Sequence, residues 1–306
     1  MELKKEFIKR SEELLGSNAV EYFKVLKEPL TDSFRINTLK TTIKALIKRL
    51  KDKGWVLHKV PWCSEGYWVN YRPKAIGNTL EHFLGYYYSQ EPASMIPPLL
   101  MELKSGLKVL DMAASPGSKT GQIAGLMSDE GLIIANDLLI NRVSILKANL
   151  QRLGVRSAVI TRRSAVSFKR LPEFFDRVLL DAPCSGEGII RKNPYVAVQW
   201  NHKNFLKFSR VQKELIMSAY KTLKPGGILV YSTCSLAPEE DEEVINHLLE
   251  HTNAKLMPAR LKGLKSREGV TEWHGLKMNS AIKDCARIYP QDNNTIGFFA
   301  AKVMKQ

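Results

Sequence analysis

The chain has 306 residues, of which 44% are hydrophobic, and 46 Lys and Arg stand against 31 Asp and Glu for a net charge of +15. That length accommodates one large domain and a small one, no run is apolar enough to span a bilayer, and four scattered cysteines (Cys63, Cys184, Cys234, Cys285) exclude a disulfide scaffold. The cationic excess favours a polyanionic partner, nucleic acid first, over a merely solvated basic surface.

The N-terminal MELKKEFIKRSEE lacks the apolar core of a signal peptide, which predicts a soluble cytoplasmic protein with free thiols. Residues 1–80 read as a small α+β, RRM-like unit. Within it SFRINTL (33–39) alternates like a strand. Ile43, Leu46, Ile47 and Leu50 follow at helical spacing, with Lys44, Lys48, Arg49 and Lys51 on the other face. GWVLHKV and GYWVNY are two more short strands. The aromatic signature by which an RRM sheet reads RNA is absent, so this unit is either an RNA-binding domain or a packing module.

Residues 81–306 form the larger domain. From about Leu107, strands alternate with helices. LKVLDMA is followed by a helix over 120–127, GLIIAND by a helix over 139–153, then come SAVIT, FDRVLLDA, a helix over 211–223, GGILVYST and finally NTIGFFAAK. Such continuous Val/Ile/Leu runs predict a doubly wound α/β sheet, Rossmann-like and parallel, with ligands beyond the C-terminal strand ends.

The first strand of that sheet ends in DMAASPGSKTGQIA (111–124), a small-residue loop opening a helix. Ala113 and Ser118 stand where a P-loop needs glycine, and the dinucleotide pattern Gly-x-Gly-x-x-Gly is absent. What remains is a nucleoside with a compact charged tail, such as S-adenosylmethionine. The second strand ends in Asn136-Asp137, where a carboxylate can take both ribose hydroxyls. A helix cap is the other reading of that acid. Two thiols follow, each at the end of a strand: Cys184 in LLDAPCSGEG and Cys234 in VYSTCS. Taken alone, the pair fits two small buried residues or a redox couple as well as a reactive site.

Together with FRINTLK, SQEPASMIPPLLM, LDMAASPGSKT, RKNP (191–194), PGGILVYSTCSLAPEEDEEVI and RIYP…GFFAAK, these motifs resemble the Nol/Nop/Sun family of RNA cytosine-C5 methyltransferases along nearly the whole chain. The resemblance implies a class I methyltransferase sheet and S-adenosylmethionine as cofactor. It implies Cys234 as a nucleophile that adds to cytosine carbon 6, which makes carbon 5 electron-rich enough to attack a methyl group. It implies that Asp181 orients the cytosine, and that Cys184 acts as base or relay in product release. The rival assignment makes Cys184 the nucleophile, as in DNA cytosine methyltransferases. Cofactor contacts carry over to Ala113, Ala114, Ser115, Pro116, Gly117, Ser118 and Lys119, to Asp137 and Arg142, to Asp181, and to Ser164, which stands where the family often has an Asp for the adenine amine. The implied partner is RNA, tRNA more than rRNA, with a target base that is unpaired or flipped. Lys44 to Lys53, Arg162, Arg163, Arg191 and Lys192 are candidates to track phosphates. Trp55, Trp62, Trp68 and Trp200 could stack on bases, with core packing as the default for each. Pro238 is the expected start of a helix whose N-terminal turn Glu239–Glu243 complements the dipole. His247 and His251 lack a third metal ligand nearby, so no metal is expected. The other function class consistent with the sequence is an RNA-binding protein with an inactive methyltransferase fold.

Overall fold

In the computed structural model, which describes residues 3–306, two helices come first, α1 (Lys5–Leu15) and α2 (Ala19–Val25). The small unit follows as β1 (Ser33–Ile36), α3 (Ile43–Asp52), β2 (Val56–Lys59), β3 (Gly66–Tyr71), α4 (Leu80–Phe83) and β4 (Tyr87–Ser89), an antiparallel sheet in the order β2-β3-β1-β4. This β-α-β-β-α-β connectivity is RRM-like. Thr42 caps α3 by accepting the Ala45 N–H at 3.2 Å. Leu46 and Leu50 on its apolar stripe are buried with Phe34, Ile36, Trp55, Val69 and Tyr87; full burial of each leucine is worth about 1.5–3 kcal/mol.

The other face of this sheet is not free. Arg35 donates from Nε to Gln90 Oε1 at 2.8 Å, and Gln90 Nε2 donates to Gln122 Oε1 at 3.0 Å. Asn37 Nδ2 donates to the carbonyls of Gly85 and Leu153, both at 2.8 Å. Trp68 packs into the core of the larger domain. The Arg-x-Asn motif is therefore a docking device that joins the two units, and the sheet face an RRM uses for RNA is covered.

Two packing facts bear on the boundary expected at residue 80. The strand that closes the small sheet, β4, lies beyond it. In addition, α1 and α2 pack on the larger domain, where Phe7, Leu15 and Tyr22 join Ile190, Trp200, Phe205, Leu236 and Tyr289.

The larger domain runs α5 (Ile96–Leu100), β5 (Lys108–Asp111), α6 (Ser118–Leu126), β6 (Leu132–Asp137), α7 (Ile140–Leu153), β7 (Ala158–Arg162), β8 (Phe175–Asp181), α8 (Tyr195–Gln199), α9 (His202–Thr222), β9 (Leu223–Thr233) and α10 (Glu242–His251). It continues through β10 (Lys255–Met257), β11 (Arg267–Glu268), a β12–β13 hairpin (Glu272–Trp273, Leu276–Lys277), β14 (Ala286–Ile288), α11 (Pro290–Asn293) and β15 (Phe298–Met304). The nine-stranded sheet has the order β11-β14-β15-β9-β8-β5-β6-β7, with β10 on β15. Strands β9, β8, β5, β6 and β7 are parallel, as expected. The remaining edge is antiparallel: β15 runs against β9, Phe299 opposite Thr233, and against β14, from which it returns through α11. Winding changes side between β5 and β8. Their C-terminal ends form a switch point, where open α/β sheets bind ligands.

Candidate active site

Four strand ends converge at this switch point. β5 runs into the small-residue loop and α6, whose N-cap Gly117 has φ +101°, a left-handed conformation that favours glycine. β8 and β9 end at Asp181 and Thr233, paired so that Asp181 lies opposite Ser232. Cys184 and Cys234 lie just beyond, with their sulfurs 3.2 Å apart. Close backbone approach makes this possible. The Gly188 N–H donates to the Cys234 carbonyl at 2.9 Å, and a Cβ on Gly188 would meet that oxygen at 2.7 Å and the Gly297 oxygen at 2.3 Å.

Asp181 is held from both sides. Lys119 Nζ donates to its Oδ2 at 2.6 Å and Ser232 Oγ to its Oδ1 at 2.7 Å. Burial opposes the charge on Lys119, but the Asp181 carboxylate more than offsets that, and the lysine pKa is raised. The Cys184 thiol is pushed well above its ordinary value, first by its hydrogen bond with Cys234, then by burial and nearby negative charge including that of Glu240.

The candidate cofactor residues form a second group. Asp137, at the end of β6, accepts from Ser115 N at 3.3 Å, from Leu139 N at 3.3 Å and from Arg142 Nε at 3.1 Å on both oxygens. Arg142 Nη2 also donates to the Ser115 carbonyl at 2.9 Å, and Ser115 Oγ donates to the Arg142 carbonyl at 2.9 Å. Ala114 N donates to the Asn136 carbonyl at 2.7 Å, and Asn149 Nδ2 donates to the Pro116 carbonyl at 2.9 Å. Ser115-Pro116 is a cis peptide. Ala113 lies in the same loop, and the Ser118 carbonyl accepts from Arg35 Nη2 at 3.4 Å. Ser164 follows Arg163, which is bonded through both its N–H and its carbonyl to Asn136 beside Asp137. Ser164 itself is exposed, and its carbonyl serves only the neighbouring Ser167.

Several expectations are corrected. α10 starts at Glu242, not Pro238, and its N-cap Asp241 makes no side-chain cap bond. Residues 239–242 are buried and bonded to residues outside the helix. Glu239 pairs with Arg10, and Glu242 pairs with Arg287 at 2.6 Å. Asp241 accepts from Thr233 Oγ1 at 2.6 Å and Glu240 from Ser185 N at 2.9 Å. Arg191 is buried and donates to the carbonyls of Glu28, Pro29 and Thr295, so it is a packing residue. Along α3, Lys48 pairs with Asp52, and Arg49 and Lys53 both pair with Glu81. Trp55, Trp62 and Trp200 are core residues.

Sequence reasoning missed Asp111, Gln212 and Glu240 as site-builders. Asp111 is buried, accepts from Thr120 Oγ1 at 2.7 Å, and keeps Oδ1 without a partner among the described residues. Burial pushes its carboxyl up to about 7. Its place at the end of the first sheet strand was the available signal. Among the described residues no group of three or more His, Cys, Asp and Glu could hold a metal ion, and no helix is long and apolar enough to cross a membrane.

Residues 98–304 match the family described as 16S rRNA methyltransferase RsmB/F, and residues 3–92 match the N-terminal domain of 16S rRNA methyltransferase RsmF. A tRNA (cytosine(49)-C(5))-methyltransferase of Pyrococcus abyssi is 45% identical over 100% of this chain and 99% of its own length. A ribosomal RNA small subunit methyltransferase F of Vibrio parahaemolyticus is 41% identical over 98% of this chain, which spans 62% of that relative. Among solved structures, a methyltransferase homolog from Pyrococcus horikoshii has a TM-score of 0.89 at 38% identity, covering 99% of this chain and 95% of its own. NSun6 from the same organism, solved with SFG, has a TM-score of 0.86 at 25% identity, covering 99% and 98%.

Proposed function

The chain belongs to the 16S rRNA methyltransferase RsmB/F family, the Nol/Nop/Sun group of RNA cytosine-C5 methyltransferases, and on that premise we propose that it methylates carbon 5 of an unpaired or flipped cytosine in tRNA through a covalent cysteine adduct. The observation that carries this reading is the pair of thiols 3.2 Å apart beside Asp181 at the switch point.

The residues present fit S-adenosylmethionine. A loop of small residues lets backbone amides approach the methionine end, Asp137 offers a buried carboxylate for ribose hydroxyls, and the unpartnered Asp111 Oδ1 is an acceptor near the loop. Three donors already meet Asp137, and Arg142 shares its one Nε–H between both oxygens, so ribose hydroxyls would compete first with that half-exposed arginine. When bound, S-adenosylmethionine supplies a methyl group activated by a sulfonium. The relative solved with SFG, an analogue of that cofactor, supports this assignment.

On the protein side, the Cys234 thiolate forms a bond to carbon 6, and the ring's electrons move to nitrogen 3 and toward carbon 5. Asp181 accepts from the exocyclic amine, and Lys119 places positive charge where the ring becomes anionic. Carbon 5 takes the methyl group. The Cys184 thiol then relays the proton, taking it from carbon 5 while passing its own to the departing Cys234 sulfur 3.2 Å away, as the bond to Cys234 breaks and the double bond re-forms. Preference for tRNA rests on the Pyrococcus abyssi tRNA methyltransferase, which is 45% identical over 100% of this chain, against 41% over 98% for the ribosomal relative.

The test is transfer of labelled methyl from S-adenosylmethionine to purified tRNA and to small-subunit rRNA, followed by bisulfite sequencing. Protected cytosines are expected in tRNA. Label in neither RNA overturns the proposal, and label confined to rRNA overturns the choice of substrate.

A further inference from the structure

We infer that Glu240 is a positioning residue that clamps the Cys184 loop onto the Cys234 loop, and that it governs release of the RNA adduct more than its formation. This inference rests on the covalent reading above. Glu240 lies in the acidic run after Cys234 and is fully buried. Its Oε2 accepts the Ser185 N–H at 2.9 Å and Gln212 Nε2 at 3.0 Å, and its Oε1 accepts from Ser235 Oγ at 3.4 Å. Ser185 and Ser235 each follow one of the two cysteines, and their hydroxyls are 3.3 Å apart. Gln212, from α9, also donates to the Pro183 carbonyl at 2.8 Å. One carboxyl group thus ties together the residues flanking both thiols.

The two thiols depend on this clamp unequally. Cys234 continues directly from β9, which is paired on both sides, and its carbonyl is held by Gly188. Cys184 sits in irregular chain. Beyond the Ala182 N–H to Ser232 carbonyl bond at 2.8 Å, its loop is held by the Gln212 and Glu240 contacts just described. Every hydrogen bond to the Glu240 carboxyl comes from a neutral donor, and burial pushes that carboxyl up to about 7. Its task is to accept hydrogen bonds, which an amide can also do: Oε1 of a glutamine can serve Ser185 and Gln212 while its NH2 donates to Ser235 Oγ.

Glu240→Ala is expected to lower kcat about 10- to 100-fold by misplacing Cys184, with KM for tRNA and cofactor within threefold. It should also accumulate a denaturant-stable protein–RNA adduct, as Cys184→Ala does. Glu240→Gln should restore most of kcat and clear the adduct. Loss of kcat without adduct, or equal loss in Glu240→Gln, overturns the inference. Should Glu240→Ala fail to fold, Gln212→Leu removes the second tie to the same loop; a folded Gln212→Leu that accumulates no adduct also overturns it. If Cys184→Ala traps no RNA while wild-type enzyme methylates, the cysteine assignment has failed and the Glu240 role falls with it. If Cys184→Ala traps RNA and Glu240→Ala does not, only the clamp is wrong.

Discussion

Arg35 is buried and Lys119 largely so, on either side of the line where the small unit meets the catalytic sheet, and the two cations are used differently. Arg35 gives its donors to neutral oxygens: Gln90 Oε1, its neighbour's carbonyl and the Ser118 carbonyl. Lys119, one residue from that last contact, faces the Asp181 carboxylate, with two thiols close by. At the docking line, Arg35 and Asn37 give their donors to neutral oxygens of both units, although the Trp68 indole N–H stays unpaired among the described residues. At the switch point, an acceptor of Asp111 stays open and charges are concentrated. What separates the two regions is therefore concentrated charge beside a strand-end cleft, the feature that marks functional sites, rather than hydrogen-bond completeness alone.

The strongest way to break this distinction is Cys234→Ala. Turnover should fall at least about 1,000-fold, more than 4 kcal/mol of transition-state stabilisation, and no adduct should form. Turnover by Cys234→Ala together with an inactive, adduct-free Cys184→Ala would reverse the roles of the two thiols. Asp181→Asn comes next. The fold should survive, because the amide oxygen can still accept from Lys119, but the negative charge is lost. A fall in kcat of about 100- to 1,000-fold is expected, read in single-turnover assays with saturating RNA. A change confined to KM would place Asp181 with uniform binding instead.

The docking line predicts the opposite profile. Asn37→Leu leaves the Gly85 and Leu153 carbonyls without their donor, which should cost about 2–4 kcal/mol of stability, seen as a lower urea midpoint. At 25 °C the folded fraction should keep its kcat within about twofold of wild type. Loss of kcat with unchanged stability would mean that the joint takes part in chemistry.

Much of the catalytic half was legible in the sequence because each element there is local. A strand, a loop and a strand-end residue fall within a dozen positions, and DAPCSG and STCS mark two such ends 50 residues apart. What stayed hidden depends on partners far along the chain. The acidic run 239–243 looks like a solvated helix start until Arg10, Gln212 and Arg287 are placed against it. Arg191 reads as a phosphate contact until the carbonyls of Glu28 and Pro29, more than 160 residues away, take its donors. β4 was missed because Tyr87–Ser89 is too short to show alternation and is a strand only by pairing with β1.

The smallest expected effect separates cations of one helix. On α3, Arg49 bonds the buried Glu81, whereas Lys44 is exposed and has no ion-pair partner among the described residues. If the joint and the RNA path are distinct, the two substitutions diverge. Arg49→Ala removes one of two cations from a buried carboxylate, and a stability loss of about 1 kcal/mol is expected, discounted because the arginine is partly exposed. It should leave the salt dependence of tRNA binding unchanged. Lys44→Ala should leave stability unchanged and reduce the slope of log Kd against log salt by about 0.7, one phosphate contact on single-stranded RNA. A slope change in Arg49→Ala with none in Lys44→Ala would put the RNA across the paired face of α3, and a single class of cation would then serve both joint and substrate.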